Sequence, residues 1–113
     1  MNINVMNIQF SYFYRDGANY KNFNTIVFSN PDSISLNSID KAIRSNLIDA
    51  TWFYPKVWNI PTMYFKEFKW DAEIDHDWHE FESIKETLEK VTEENSIEDF
   101  LMLLNKSKVD YQF

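Results

Sequence analysis

Ile3-Asn-Val-Met-Asn-Ile-Gln-Phe-Ser-Tyr-Phe-Tyr14 alternates apolar and polar side chains, and Phe23-Asn-Thr-Ile-Val-Phe-Ser29 does so again. Between them lies a turn, Arg15-Asp-Gly-Ala-Asn19. A period of two in segments rich in Ile, Val, Phe and Tyr is the pattern of a half-buried strand. In the first strand Ile8, Phe10, Tyr12 and Tyr14 share one parity, and a switch of parity near Met6-Asn7 points to a bulge or a late start. In the second, Phe23, Thr25 and Val27 fall on one face, with Ile26 and Phe28 on the other. Asp16-Gly17 is the expected source of the positive φ that a tight connection needs. The two strands are predicted to form a hairpin.

The pattern then changes period. Asn30-Pro-Asp32 breaks the second strand, and Ser35 or Ser33 caps a helix expected over Leu36 to Leu47. Leu36, Ile39, Ile43 and Leu47 recur at helical spacing, while Asp40, Lys41, Arg44 and Ser45 fall away from that stripe. Ala50 to Pro61 reads as a loop carrying Trp52, Phe53, Tyr54 and Trp58, because Pro55 and Pro61 suit neither a helix interior nor a central strand. Thr62 to Trp70 reads as a third strand. Trp78 to Ile84 reads as a fourth that pairs back on it, and residues 81–91 are open between strand and helix. Ser96 caps a last helix with Glu98 and Asp99 in its first turn, where the helix dipole favours acids. The order ββαββα implies a single α+β domain over residues 1–113. Its four-stranded antiparallel sheet carries two helices on one face.

Composition excludes several classes of chemistry. The chain has 113 residues, 44% hydrophobic and 18% aromatic, enough bulk for one core and not for two. It has no cysteine, so it has no disulfide framework and no thiolate nucleophile or ligand. No apolar run approaches a bilayer span, and the N-terminal residues lack a basic segment followed by an apolar one. These features point to a reducing, intracellular compartment, the cytoplasm. Net charge is −7. It is concentrated beyond residue 65, where six lysines face fourteen acids. Phosphates would be repelled by that half, so direct binding of nucleic acid or of an anionic membrane is not expected.

The acids are densest in Trp70-Asp-Ala-Glu-Ile-Asp-His-Asp-Trp-His-Glu-Phe-Glu82, which contains both histidines and no Lys or Arg. Asp71, Glu73, Asp75, Asp77, Glu80 and Glu82 would present phosphate-like charge, with Trp70 and Trp78 as aromatic anchors. That combination suits a partner with a basic surface. The expected function is therefore a small acidic inhibitor, without catalytic residues or cofactor, that occupies the surface of a nuclease toxin or CRISPR effector. The alternative is a metal-dependent enzyme or metal-binding domain using His76, His79 and Asp77, with Asp75 and Glu80 nearby. The spacing matches no established metal motif, and the residues also suit a solvated acidic strand edge. A third reading is a homodimeric accessory protein, packed through loop 52–61. Tyr12, Tyr14, Arg15, Tyr20 and Lys21 could stack bases, but tyrosines at period two more simply pack a hairpin.

Ser11-Tyr-Phe-Tyr-Arg-Asp-Gly-Ala-Asn-Tyr-Lys21, Val27-Phe-Ser-Asn30 and Glu73-Ile-Asp-His-Asp-Trp-His-Glu-Phe-Glu82 together resemble a family of small, uncharacterised bacterial proteins. The resemblance implies a bacterial or phage source and carries over no catalytic residue. In physical type the chain is similar to acidic immunity proteins and anti-CRISPR proteins.

Overall fold

The computed structural model describes residues 6–63 and 78–107. Strand β1 spans Asn7–Arg15 and β2 spans Lys21–Phe28, paired antiparallel with Ile8 opposite Phe28 and Arg15 opposite Lys21. Met6 precedes the strand, and residues 3–5 of the expected strand lie outside the described residues. The register puts Ile8, Phe10 and Tyr12 with Ile26 and Phe28 on one face, where all are buried. On the other face Phe23 is exposed and Val27 is buried, and the Val27 carbonyl accepts from the Thr92 and Glu93 amides. Gly17 does not supply the positive φ at the hairpin tip. Asn19 does, at φ 71°, a conformation that asparagine tolerates better than most residues. Asp16 Oδ1 holds the tip by accepting from the Ala18 and Tyr20 amides.

Helix α1 spans Leu36–Ser45 and α2 spans Ile97–Ser107. Ser35 caps α1, its Oγ accepting from the Ser38 amide, and Ser96 Oγ accepts from the Asp99 amide at the start of α2. The first helix ends two residues earlier than its apolar repeat suggests. Asn46 terminates it by donating from its backbone amide to Ile43 and from Nδ2 to Ala42, and it is tied across to Asn105 on α2. Both helices cover the same sheet face. Ile39, Ile43, Ile97, Phe100 and Leu104 close over Ile8, Phe10, Tyr12, Ile26 and Phe28. Each large apolar side chain so buried contributes about 1.5–3 kcal/mol against conformational entropy.

The third and fourth strands need correction. Strand β3 is only Trp52–Phe53, inside the stretch expected to be loop, and β4 spans His79–Thr87. Sheet order is β2-β1-β4-β3, so β4 is a central strand between β1 and β3 and does not simply fold back on its predecessor. Residues 62–63 are not strand, and 64–70 of the expected third strand lie outside the described residues. The ambiguity at 81–91 resolves as strand through Thr87. After β3 the chain turns through Tyr54–Ile60, with Trp58 N donating to the Tyr54 carbonyl and Ile60 N to that of Pro55. This turn drops Trp58 into the core, stacked on Phe53 with centroids 4.4 Å apart and planes 11° apart. The ββαββα order and the α+β class stand. No helix among the described residues is long and apolar enough to cross a membrane.

Candidate functional site

The part of the acidic, aromatic stretch that is described begins at Trp78, and a single bulge decides where its side chains point. From Asn7 opposite Thr87 to Ser11 opposite Ser83 the β1–β4 register is regular. It then slips, and Tyr12 faces Phe81 while Phe13 faces Glu80. Glu82 is the extra residue on β4. A one-residue slip exchanges the two faces of a strand. Without it, Glu80 would point at the core and Phe81 at solvent. With it, Phe81 packs against the core, 5.3 Å from the Phe10 ring, and Glu80 lies on the outer face.

Glu80 is not a bare acid on that face. Arg15 donates to both of its oxygens, Nε to Oε2 at 2.7 Å and Nη2 to Oε1 at 3.2 Å. The hydrogen bond to Glu80 holds the Arg15 guanidinium above its ordinary pKa, firmly charged. The charge expected to meet a partner is here spent largely within the fold. Glu82, at the bulge, is exposed and remains on the surface.

His79 is fully buried, not a solvated turn residue. Its ring lies between Tyr12, Tyr14 and Phe53, at centroid distances of 6.0, 5.0 and 6.2 Å. Its Nε2 accepts from the Met63 amide at 2.9 Å. That lone pair would otherwise be the one offered to a metal. Among the described residues no three His, Cys, Asp or Glu side chains cluster as metal ligands. His76, Asp75 and Asp77 lie outside the described residues, as do Trp70, Asp71 and Glu73.

The aromatics sort cleanly by parity. Phe53 and His79 are paired across the β3–β4 edge and both point inward. Their neighbours Trp52 and Trp78 therefore point outward. Trp78 is 38% exposed and meets Trp52 edge to face, with centroids 6.4 Å apart and planes at 60°. Ile48, Trp52, Tyr54 and Trp78 line a cavity of about 220 Å³. Of the two tryptophans in the proline-bounded loop, Trp52 is thus available to a surface site and Trp58 is not. Tyr12 and Tyr14 are core residues, which removes them as base-stacking platforms. The Tyr12 hydroxyl donates to the Pro61 carbonyl and accepts from Asn24 Nδ2, and burial pushes its pKa up to about 12.

No known protein family, curated protein or solved structure matches this chain. Trp52 and Tyr54 entered the sequence reading only through loop 52–61 of the homodimer alternative, because a two-residue strand has no periodicity to detect. Nothing in the sequence separates Trp52 and Tyr54 from buried Phe53 and Trp58, since all four are aromatic.

Proposed function

We propose that the chain is a small acidic binding protein that inhibits a nucleic-acid-handling partner, a nuclease toxin or a CRISPR effector, by occupying its basic surface. The observation that carries this reading is the outward pair Trp52 and Trp78. In the chain, Trp78 directly follows an acid-rich run with Asp71, Glu73, Asp75 and Asp77 and no Lys or Arg. Aromatic anchors supply buried area at an interface, and surrounding carboxylates steer a cationic partner and pair with it. Exposed Glu82 adds to that charge, whereas Glu80 serves the fold through Arg15.

The test is protection in living bacteria. Cells co-expressing this chain are challenged with a set of nuclease toxins and, separately, with CRISPR interference against an infecting phage. The reading expects survival or plaque formation to be restored for one target. The Asp75→Lys, Asp77→Lys double variant should bind that target with a slower on-rate, as should the unaltered protein at raised salt. Failure to protect against any of them, together with no binding to basic nucleic-acid-handling proteins at low salt, would remove the reading.

A further inference from the structure

We infer that the open edge of β2, from Lys21 to Thr25, is a self-association site, where a second copy of this chain pairs antiparallel about a two-fold axis at Phe23. This seam is distinct from loop 52–61 and from the acidic surface proposed to meet a basic partner.

Sheet order β2-β1-β4-β3 gives β2 a neighbouring strand on one side only. At the hairpin tip the Tyr20 carbonyl accepts from the Asp16 amide, so even-numbered residues of β2 turn their backbone groups toward β1. Odd-numbered residues turn theirs away. The chain itself covers the far part of this outer edge. The Val27 amide donates to Thr92 Oγ1, the Val27 carbonyl accepts from the Thr92 and Glu93 amides, and the Ser29 carbonyl accepts from the Ile97 amide. Among the described residues nothing pairs with the outward amides and carbonyls of Lys21, Phe23 and Thr25. The edge is therefore open from Lys21 to Thr25, bounded by the turn at Tyr20 and by residues 92–93.

The open edge is symmetric about Phe23, and that selects a second copy as its occupant. Across a two-fold axis, Phe23 faces Phe23 of the other copy and Lys21 faces its Thr25. All of these are outward residues, so each facing pair exchanges two N–H···O bonds, as in a regular antiparallel ladder. No like charges stand opposite one another. Lys21 comes to lie beside Val27 of the other copy, where half-buried Glu93 closes the edge. In a chain of net charge −7, residues 17–31 carry Lys21 and no acid, so two copies can approach here without carboxylate repulsion. By contrast β4 beyond Phe81, where β3 has ended, carries Glu82, Lys85 and Glu86, charges that discourage pairing at an edge. On the outer face Phe23 is 56% exposed, with its ring 5.0 Å from that of Phe13. Facing Phe23 of the other copy extends that contact into a continuous row of rings across the seam. The pairing is closed, because once joined neither copy keeps an open β2 edge.

The experiment combines sedimentation equilibrium from about 1 μM to about 1 mM with amide hydrogen exchange at both ends of that range. The unaltered chain should be monomeric at the low end and dimeric at the high end, because so short a seam is small for a stable interface. Exchange of the Phe23 and Thr25 amides should slow several-fold in the dimer, a readout that needs no variant. Phe23→Lys and Phe23→Glu each set like charges face to face at an exposed position, and each should weaken self-association at least about tenfold. Mixed in equal amounts, the two variants should pair with one another and recover the association of the unaltered chain. A chain that stays monomeric at about 1 mM overturns the seam. So does a dimer that leaves the Phe23 and Thr25 amides unprotected, or one whose affinity ignores Phe23→Lys. A mixture that associates no more tightly than its components overturns it too, since residue 23 facing itself is what opposite charges would rescue.

Discussion

Arg15 grips Glu80 at two points across the β1–β4 pair, at 2.7 and 3.2 Å. The contact exists only because the bulge at Glu82 turns Glu80 to the outer face. The pair is partly exposed, with 35% of the Arg15 side chain and 15% of that of Glu80 accessible. Solvent screening therefore limits its value. Glu80→Gln should lower stability by about 0.5–1 kcal/mol, read from chemical denaturation. It should slow association with a basic partner far less than the Asp75, Asp77 double variant does, since it changes the net charge by one unit where the double variant changes it by four. A Glu80→Gln protein that associates as slowly as the Asp75, Asp77 double variant would place Glu80 among the steering charges after all.

His79 and Met63 form a second relationship with consequences. The buried imidazole fills space beside Tyr14 and Phe53 and gives the Met63 amide its acceptor. His79→Ala removes both, leaving a cavity and a buried donor with its acceptor gone. The expected cost is about 2–4 kcal/mol. This loss should be the same in the presence of chelator and in metal-free buffer, because the histidine acts through packing and its hydrogen bond with Met63. Stoichiometric zinc or manganese that disappears with His79→Ala while the melting temperature holds would restore a ligand role.

These two contacts also mark where reading from sequence stops. Strands β1 and β2 and both helices were legible because their signals are local, in the alternation from Ile8 to Tyr14 and the caps at Ser35 and Ser96. The partner of β4 was not legible. Pairing Asn7 with Thr87 joins residues far apart in the chain, and nothing in either segment names the other. The bulge was invisible for a related reason. Residues 79–84 are compatible with either phase, and the choice rests on Phe81 and His79 packing against Phe10, Tyr12 and Tyr14. Trp58 and Phe53 were assigned to a loop because Pro55 and Pro61 suit neither a helix interior nor a central strand. Tertiary packing overrode that local signal. Of the candidate site, Trp78 and Glu82 lie on the surface as the sequence implied, whereas Glu80 and His79 were claimed by the fold.

The stacked pair Phe53 and Trp58 yields a contrast between two substitutions. Trp58 Nε1 is buried with no hydrogen-bond acceptor among the described residues, so the indole carries an unmet desolvation cost. Trp58→Phe keeps a stacking ring and removes that donor, so it should cost less than about 1.5 kcal/mol despite the smaller volume. Phe53→Ala deletes a ring that touches Phe10, Tyr12 and Trp58, and should cost about 3–5 kcal/mol. Thermal melts of the two variants side by side would show the separation. Equal losses would mean that the indole nitrogen is satisfied in solution.

Glu98 gives the fold a pH dependence of definite sign. It lies in the first turn of α2, where the helix dipole favours the charged form. Yet the hydrogen bond and repulsion from Asp32 hold its carboxyl above the ordinary carboxylate range. A raised carboxyl pKa means that the native state keeps a proton the unfolded chain has released. In that window the native state binds more protons, so this group's contribution to stability falls as pH rises through it. Below the unfolded pKa of about 4.3 the contribution is fully present. Glu98→Gln preserves a donor to Asp32 and removes the titration. Its melting temperature relative to the unaltered protein should therefore rise as pH climbs above the ordinary carboxylate range, and level off once Glu98 is ionised in the folded state. Asp32→Asn should move it in the same direction, since either change removes the repulsion between the loop after β2 and the start of α2. A difference that shrinks with rising pH would show that the two carboxylates do not oppose one another in solution.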